Sequence, residues 1–189
     1  MPHSEKYLLE TALIAGMDSK PIEEMAKALS DLRSRRGRLF VIGLGGSAAN
    51  ASHAVNDFRK LCGIESYCPS DNVAELTARA NDDGWDYIYS SWLLYANEKD
   101  GLFILSVGGG TETVSRPLIN AIDFAKINGM KIFGIVGRDG GYTKLHADHC
   151  IIIPTVEPSR VTPHTEAFQS VILHCLVSHP DLQKAPTKW

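Results

Sequence analysis

No apolar run in this 189-residue chain reaches the roughly 18 residues that a membrane-spanning helix needs, so none is expected. The amino-terminal segment, MPHSEKYLLE, carries charges where a secretory leader would hold its apolar stretch. Cysteine is scarce. Cys62, Cys68, Cys150 and Cys175 form no C-x-x-C pair, and the set fits a reduced, cytoplasmic protein. Positive charge is not in excess either: 19 Lys and Arg against 22 Asp and Glu leave a net charge of −3, no footprint for nucleic acid or an anionic membrane. The basic run RSRRGR, Arg33 to Arg38, is short and reads as a solvated helix end before a strand. Linkers and internal repeats are missing too. With 44% hydrophobic and 22% charged residues, the composition suits one globular domain spanning 1–189.

What is present is an alternation. Residues 5–35 read as two helices, KYLLETALIAGM and PIEEMAKALSDLRSRR, with apolar residues three and four apart and Pro21 suited to a first turn. RLFVIG (38–43) is a short apolar strand of the kind buried on both faces of a parallel sheet, and a helical pattern follows from about Ser47 to Leu61. GLFILSV (101–107), KIFGIVG (131–137) and CIIIP (150–154) repeat the strand signal, with helical patterns in TVSRPLINAIDFAKING and PHTEAFQSVILHCLVS. Between them, DNVAELTARAN and WDYIYSSWLLYA also look helical. The expected fold is α/β: a three-layer, doubly wound, mostly parallel sheet over 37–180, preceded by a helical pair over 1–36.

Two glycine clusters, Gly43 to Ser47 and Gly108 to Thr111, fall where ligands sit in such sheets, beyond the carboxyl ends of strands. GLGGSA contains a G-x-G, but a dinucleotide site also wants an acid at the end of the next strand, about 20 positions on. CGIES (62–66) shows no apolar strand before Glu65, so no nucleotide cofactor is expected. A phosphate cradle asks for less: open backbone N–H groups, a helix start and a hydroxyl, which Ser47, Ser106 and Thr111 supply. The same residues also serve as plain caps of tight turns.

His53 and Asp57 stand i, i+4 and share one helix face. Such a pair chelates a metal, lets a histidine orient a carboxylate base, or is only a surface hydrogen bond. Glu166 and His174, with His164 upstream, form a second set in the last helix. His174 lies in the apolar stretch SVILHCLV, as a core histidine or a cleft residue. Eight residues of helix rise about 12 Å, so Glu166 and His174 meet at one metal only if Glu166 lies at or before the helix start.

These segments together resemble the sugar isomerase (SIS) domain family and, within it, the phosphoheptose isomerases. GLGGSAANASHAVNDF is similar to that family's G-N-G-G-S followed by H-x-x-x-E, ANDDGWDYIYSSWL to its G-N-D-x-G-F, and LSVGGGTETV to its phosphate loop. VGRDGG resembles its T-G-K-D-G-G turn, and TEAFQSVILH its Q-E-x-H-x-x-x-x-H helix. The resemblance runs from the first helices to about Pro180. It departs at Leu44, where the family has asparagine, at Asp57 for glutamate, at Glu166 for glutamine, and in the hydroxyl-poor SVGGGT.

The resemblance implies aldose–ketose isomerisation of a phosphorylated sugar, sedoheptulose 7-phosphate to a heptose 7-phosphate, through an enediol. It places metal ligands at His53, Asp57, Glu166 and His174, with zinc implied by two histidines and two carboxylates, a base at Asp57 and an acid at His174. Substrate contacts fall on Gly45, Gly46, Asn81, Asp82 and Glu166, and phosphate contacts on Ser47, Ser106, Gly108 and Thr111. It implies a homotetramer with sites between subunits. Two non-enzymatic readings stand beside it: an SIS protein that binds a sugar phosphate or a protein such as a replication initiator, and a structural zinc tetramer.

Overall fold

The computed structural model describes residues 1–187. Helices α1 (His3–Ala15) and α2 (Lys20–Ser34) lead into β1 (Leu39–Gly43), α3 (Gly46–Cys62) and β2 (Ser66–Tyr67). There follow α4 (Val73–Asp82), α5 (Ile88–Trp92), β3 (Gly101–Ser106), α6 (Arg116–Ile127), β4 (Lys131–Val136), α7 (Gly141–His146), β5 (His149–Ile152) and α8 (Val161–Val177). The five strands are all parallel, in the order β2-β1-β3-β4-β5.

Side chains alternate across this sheet and so build two cores. Leu39, Val41, Phe103, Leu105, Phe133 and Ile135 face α1, α2, α3 and α8. Phe40, Ile42, Leu102, Ile104 and Ile132 face the opposite way, towards α4–α7. Both faces are covered, which is why the strands read as apolar runs. In α2 the buried Ile22, Met25, Ala26, Leu29 and Leu32 follow the helical spacing that the sequence shows. At the amino edge, buried Asp100 accepts from the Arg38 backbone N–H (2.8 Å) and from its guanidinium (2.7 Å), tying the start of β1 to β3.

Several boundaries differ from the sequence reading: WDYIYSSWLLYA is α-helical only over Ile88–Trp92, and the short α7 follows β4 where the sequence shows only a turn. The edge strand β2 is present although CGIES carries no apolar run, because it is two residues long and its Tyr67 is exposed. Helix α6 starts at Arg116, later than its pattern, because Ser115 takes a left-handed φ of 61° and breaks the helix there. Helix α8 starts at Val161, ahead of Pro163, which fits inside a first turn because its missing N–H would have had no partner.

Candidate active site

The helices α3 and α8 run parallel along one face of the sheet. Asn50 donates to the Glu166 carbonyl (2.9 Å) and to Gln169 Oε1 (3.0 Å), and the Ser170 hydroxyl donates back to Asn50 (3.0 Å). Further along the seam, Cys62 Sγ faces the Val177 carbonyl. This pairing sets the register that brings α3 and α8 side chains together. Burial pushes the Cys62 thiol up to about 11, so in the seam it is a neutral thiol.

Between those contacts, His53, Asp57 and His174 converge. His53 Nε2 is 3.2 Å and His174 Nε2 3.7 Å from Asp57 Oδ2, and the two imidazole centroids are 5.1 Å apart. Asp57 Oδ1 accepts from Asn56 Nδ2 at 2.9 Å. The Asp57 side chain is 15% exposed, and His53 and His174 are 53% and 58% exposed. One potential ligand atom from each lies within 4.8 Å of the others. They open onto a cavity of about 450 Å³ that Lys60, Leu61 and Ser178 also line. Tetrahedral zinc with bonds of about 2.0–2.1 Å needs ligand atoms roughly 3.3 Å apart, so two histidines, a carboxylate and an open side fit that ion.

Glu166 is not in this cluster. It is the sixth residue of an unbroken α8, about 12 Å of rise from His174. The condition for a shared metal, that it precede the helix, is therefore not met within this chain. Its carboxylate instead lies over Gly46 at the start of α3, where a Cβ on Gly46 would come within 2.6 Å of Glu166 Cδ. The positive end of α3 favours a carboxylate there.

The other expected residues divide. Ser106, Gly108 and Thr111 line a second cavity of about 590 Å³ at the carboxyl ends of β3 and β4, with Thr162 of α8 on its rim. Backbone shapes it. Gly109 has φ +70°, and a Cβ there would lie 1.9 Å from the Gly140 carbonyl oxygen. Thr143 donates its N–H (3.0 Å) and hydroxyl (2.8 Å) to the Gly109 carbonyl, and the Tyr142 N–H donates to Gly110 (2.9 Å). Ser106 Oγ accepts from the Gly109 N–H at 3.0 Å, and Thr111 Oγ1 from the Val114 N–H at 3.1 Å.

Gly45 precedes α3 and Gly46 opens it, next to the end of β1, where the Tyr89 hydroxyl donates to the Gly43 carbonyl and pins the strand end. Ser47 is 1% exposed, lines neither cavity, and its hydroxyl has no partner among the described residues. Asn81 and Asp82 end α4, exposed and bonded to each other at 2.8 Å, and line neither cavity. Within one chain, His53 and Asp57 lie roughly 10 and 16 Å along α3 from its glycine start. Sequence reasoning passed over Arg138, which lines the second cavity. Its signal was a cation in the turn VGRDGG, directly after a parallel strand.

No family model matches the chain. It is similar to the phosphoheptose isomerase of Pelodictyon phaeoclathratiforme, 32% identical over 79% of this chain and 77% of the relative. The Fusobacterium nucleatum phosphoheptose isomerase is 30% identical over 92% and 88%. Solved phosphoheptose isomerases from Neisseria gonorrhoeae and Francisella tularensis share the fold, each with a TM-score of 0.79 at 22% identity over 93% of this chain and 92% of theirs. The parallel sheet flanked by helices is thus that of the sugar isomerase (SIS) domain proteins. Within that class, the chain belongs to the phosphoheptose isomerase family of sugar-phosphate isomerases.

Proposed function

We propose that this protein is an aldose–ketose isomerase for a phosphorylated sugar, with sedoheptulose 7-phosphate the first substrate to try. The observation that carries this reading is the convergence of His53, Asp57 and His174 on one open cleft in a chain of this family. Asp57 takes the proton from the hydroxyl-bearing carbon next to the substrate carbonyl, and the carbonyl oxygen gains a proton to give an enediol. His174 delivers a proton to the former carbonyl carbon as the other enediol hydroxyl gives one up. His53 holds the Asp57 carboxylate in place from 3.2 Å. His53, Asp57 and His174 would hold a divalent cation, zinc by their chemistry, which when bound polarises the carbonyl. Isomerisation involves no net redox change, so no nucleotide is required.

The phosphate end belongs in the second cavity, on Ser106, Gly108 and Thr111. Gly45, Gly46, Ser47, Asn81, Asp82 and Glu166 are assigned to the sugar or to a neighbouring subunit's site. The two cavities are separate within one chain, and Leu8, Leu9 and Leu13 of α1 are exposed. Both features support a homotetramer of single-domain chains with sites completed between subunits. Four free thiols suit the cytoplasm, and among the described residues no helix is long and apolar enough to cross a membrane.

Proton NMR of pentulose, hexulose and heptulose phosphates in deuterium oxide tests the reading. The expected result is interconversion with solvent deuterium entering the carbon next to the carbonyl. Binding of these sugars without turnover would leave a sugar-phosphate-binding protein in place of the enzyme.

A further inference from the structure

We propose that Arg138 is the principal phosphate-recognition residue of the second cavity and makes it selective for a terminal phosphomonoester. This rests on the reading of that cavity as the phosphate end of the substrate site. Arg138 is the sole cation among the residues lining the cavity. It is exposed and has neither a hydrogen bond nor an ion pair to another of the described residues, so its guanidinium is uncommitted.

The neighbouring groups leave the charge of a dianion to Arg138. The Ser106 and Thr111 oxygens already accept from the Gly109 and Val114 N–H groups, so these hydroxyls offer neutral O–H donors at most. The one carboxylate among the lining residues, Asp139, accepts from the Gly141 N–H at 3.1 Å and is engaged with its own turn. A guanidinium presents paired N–H donors that match two phosphate oxygens, which an ammonium does not.

The backbone supports the same conclusion independently. Arg138 has φ +52°, a left-handed conformation that costs a non-glycine residue energy. The close approach of Gly109 to Gly140 imposes a tight turn here, and glycine would meet it without strain. A long cation kept in a strained position on a cavity wall marks a functional side chain.

The test is calorimetry with inorganic phosphate on the full-length protein and on Arg138→Gln, Arg138→Lys and Arg138→Gly, with thermal melts to confirm folding. Arg138→Gly suits the backbone, so it folds even if the other variants do not. The expected result is phosphate affinity about tenfold or more weaker in the Gln and Gly variants, with Lys in between. Equal affinity in wild type and Arg138→Gly, or no phosphate binding by wild type, overturns the proposal. The isomerase reading is judged separately by turnover of sugar phosphates. Turnover with unchanged phosphate affinity in Arg138→Gly removes Arg138 alone, whereas lost affinity without any wild-type turnover keeps Arg138 and removes the isomerase.

Discussion

The cleft between α3 and α8 and the cavity over β3 and β4 share one chain, yet side chains build the first and backbone builds the second. In the cleft, helix spacing places His53 and Asp57 on one face, and the parallel register of α8 delivers His174 to the same carboxylate. In the cavity, Gly109, Gly110 and Gly140 are held carbonyl to N–H, and two hydroxyls are absorbed into the loop itself. The cleft therefore exposes titratable groups that are cheap to change structurally. At Gly109 the cavity wall tolerates no added atom, whereas Gly108 on the same wall has open space beside it. Chemistry and stability should part along this line when each region is mutated.

The largest effects belong to the cleft and to activity. Asp57→Ala and His174→Ala should each lower kcat by about 10²- to 10⁴-fold, the usual contribution of a positioned acid or base. Thermal melting of His174→Ala should hardly move, since its imidazole is more than half exposed. Purified wild type should carry about one divalent ion per chain by mass spectrometry, lost in Asp57→Ala. A metal-free protein that still turns over substrate would remove these residues as ligands. Unchanged turnover in His174→Ala would remove it from the proton transfer.

Gly109→Ala should show the opposite pattern. The new Cβ meets the Gly140 carbonyl oxygen at 1.9 Å, and φ +70° strains any L side chain. The expected cost is about 2–4 kcal/mol in urea unfolding. A loss below about 1 kcal/mol would mean that the two turns can separate, and the cavity would not be a backbone-locked shape. Glu166→Gln should have a smaller effect. Removing a carboxylate from the start of α3 should cost about 0.3–1 kcal/mol and less at high salt. A variant as stable as wild type would show that the carboxylate over Gly46 gains nothing from the helix.

How much of this was legible beforehand follows from what each feature depends on. β1, β3 and β4 were readable because burial on both faces leaves unbroken apolar runs such as Leu39 to Ile42, and the edge strand β5, only partly buried, was readable from its apolar run Cys150 to Ile153. The His53–Asp57 pair was readable because i, i+4 spacing is a local property of a helix. β2 was not, since two residues, one of them exposed, carry no periodicity. The parting of Glu166 from His174 turned on where α8 begins, and Pro163 permits a start on either side of Glu166. Arg138 depends on a turn conformation and on the absence of partners, neither of which a string of residues displays.

The smallest expected effect comes from a third place, which shows whether the cleft is insulated from the rest of the chain. Buried Glu10 of α1 receives Arg160 in two hydrogen bonds (2.8 and 2.6 Å) and pairs with His164 Nε2 at 2.9 Å, while Tyr7 stacks on His164 at 4.4 Å. Together they fasten α1 to the beginning of α8. The Arg160 hydrogen bonds, aided by His164, bring the Glu10 carboxyl from its ordinary 4.5 down to about 2. A carboxyl held below its unfolded value stabilises the fold above that value, and the contribution fades as pH falls from about 4.5 towards 2. Protonation would leave Arg160 charged and without its partner. The urea midpoint of wild type should therefore fall more steeply across that window than that of Glu10→Gln, whose amide does not titrate. Parallel curves would mean that the pair does not couple to folding. A further loss of kcat at pH 7 in Glu10→Gln would show that the α1 anchor reaches the cleft through α8.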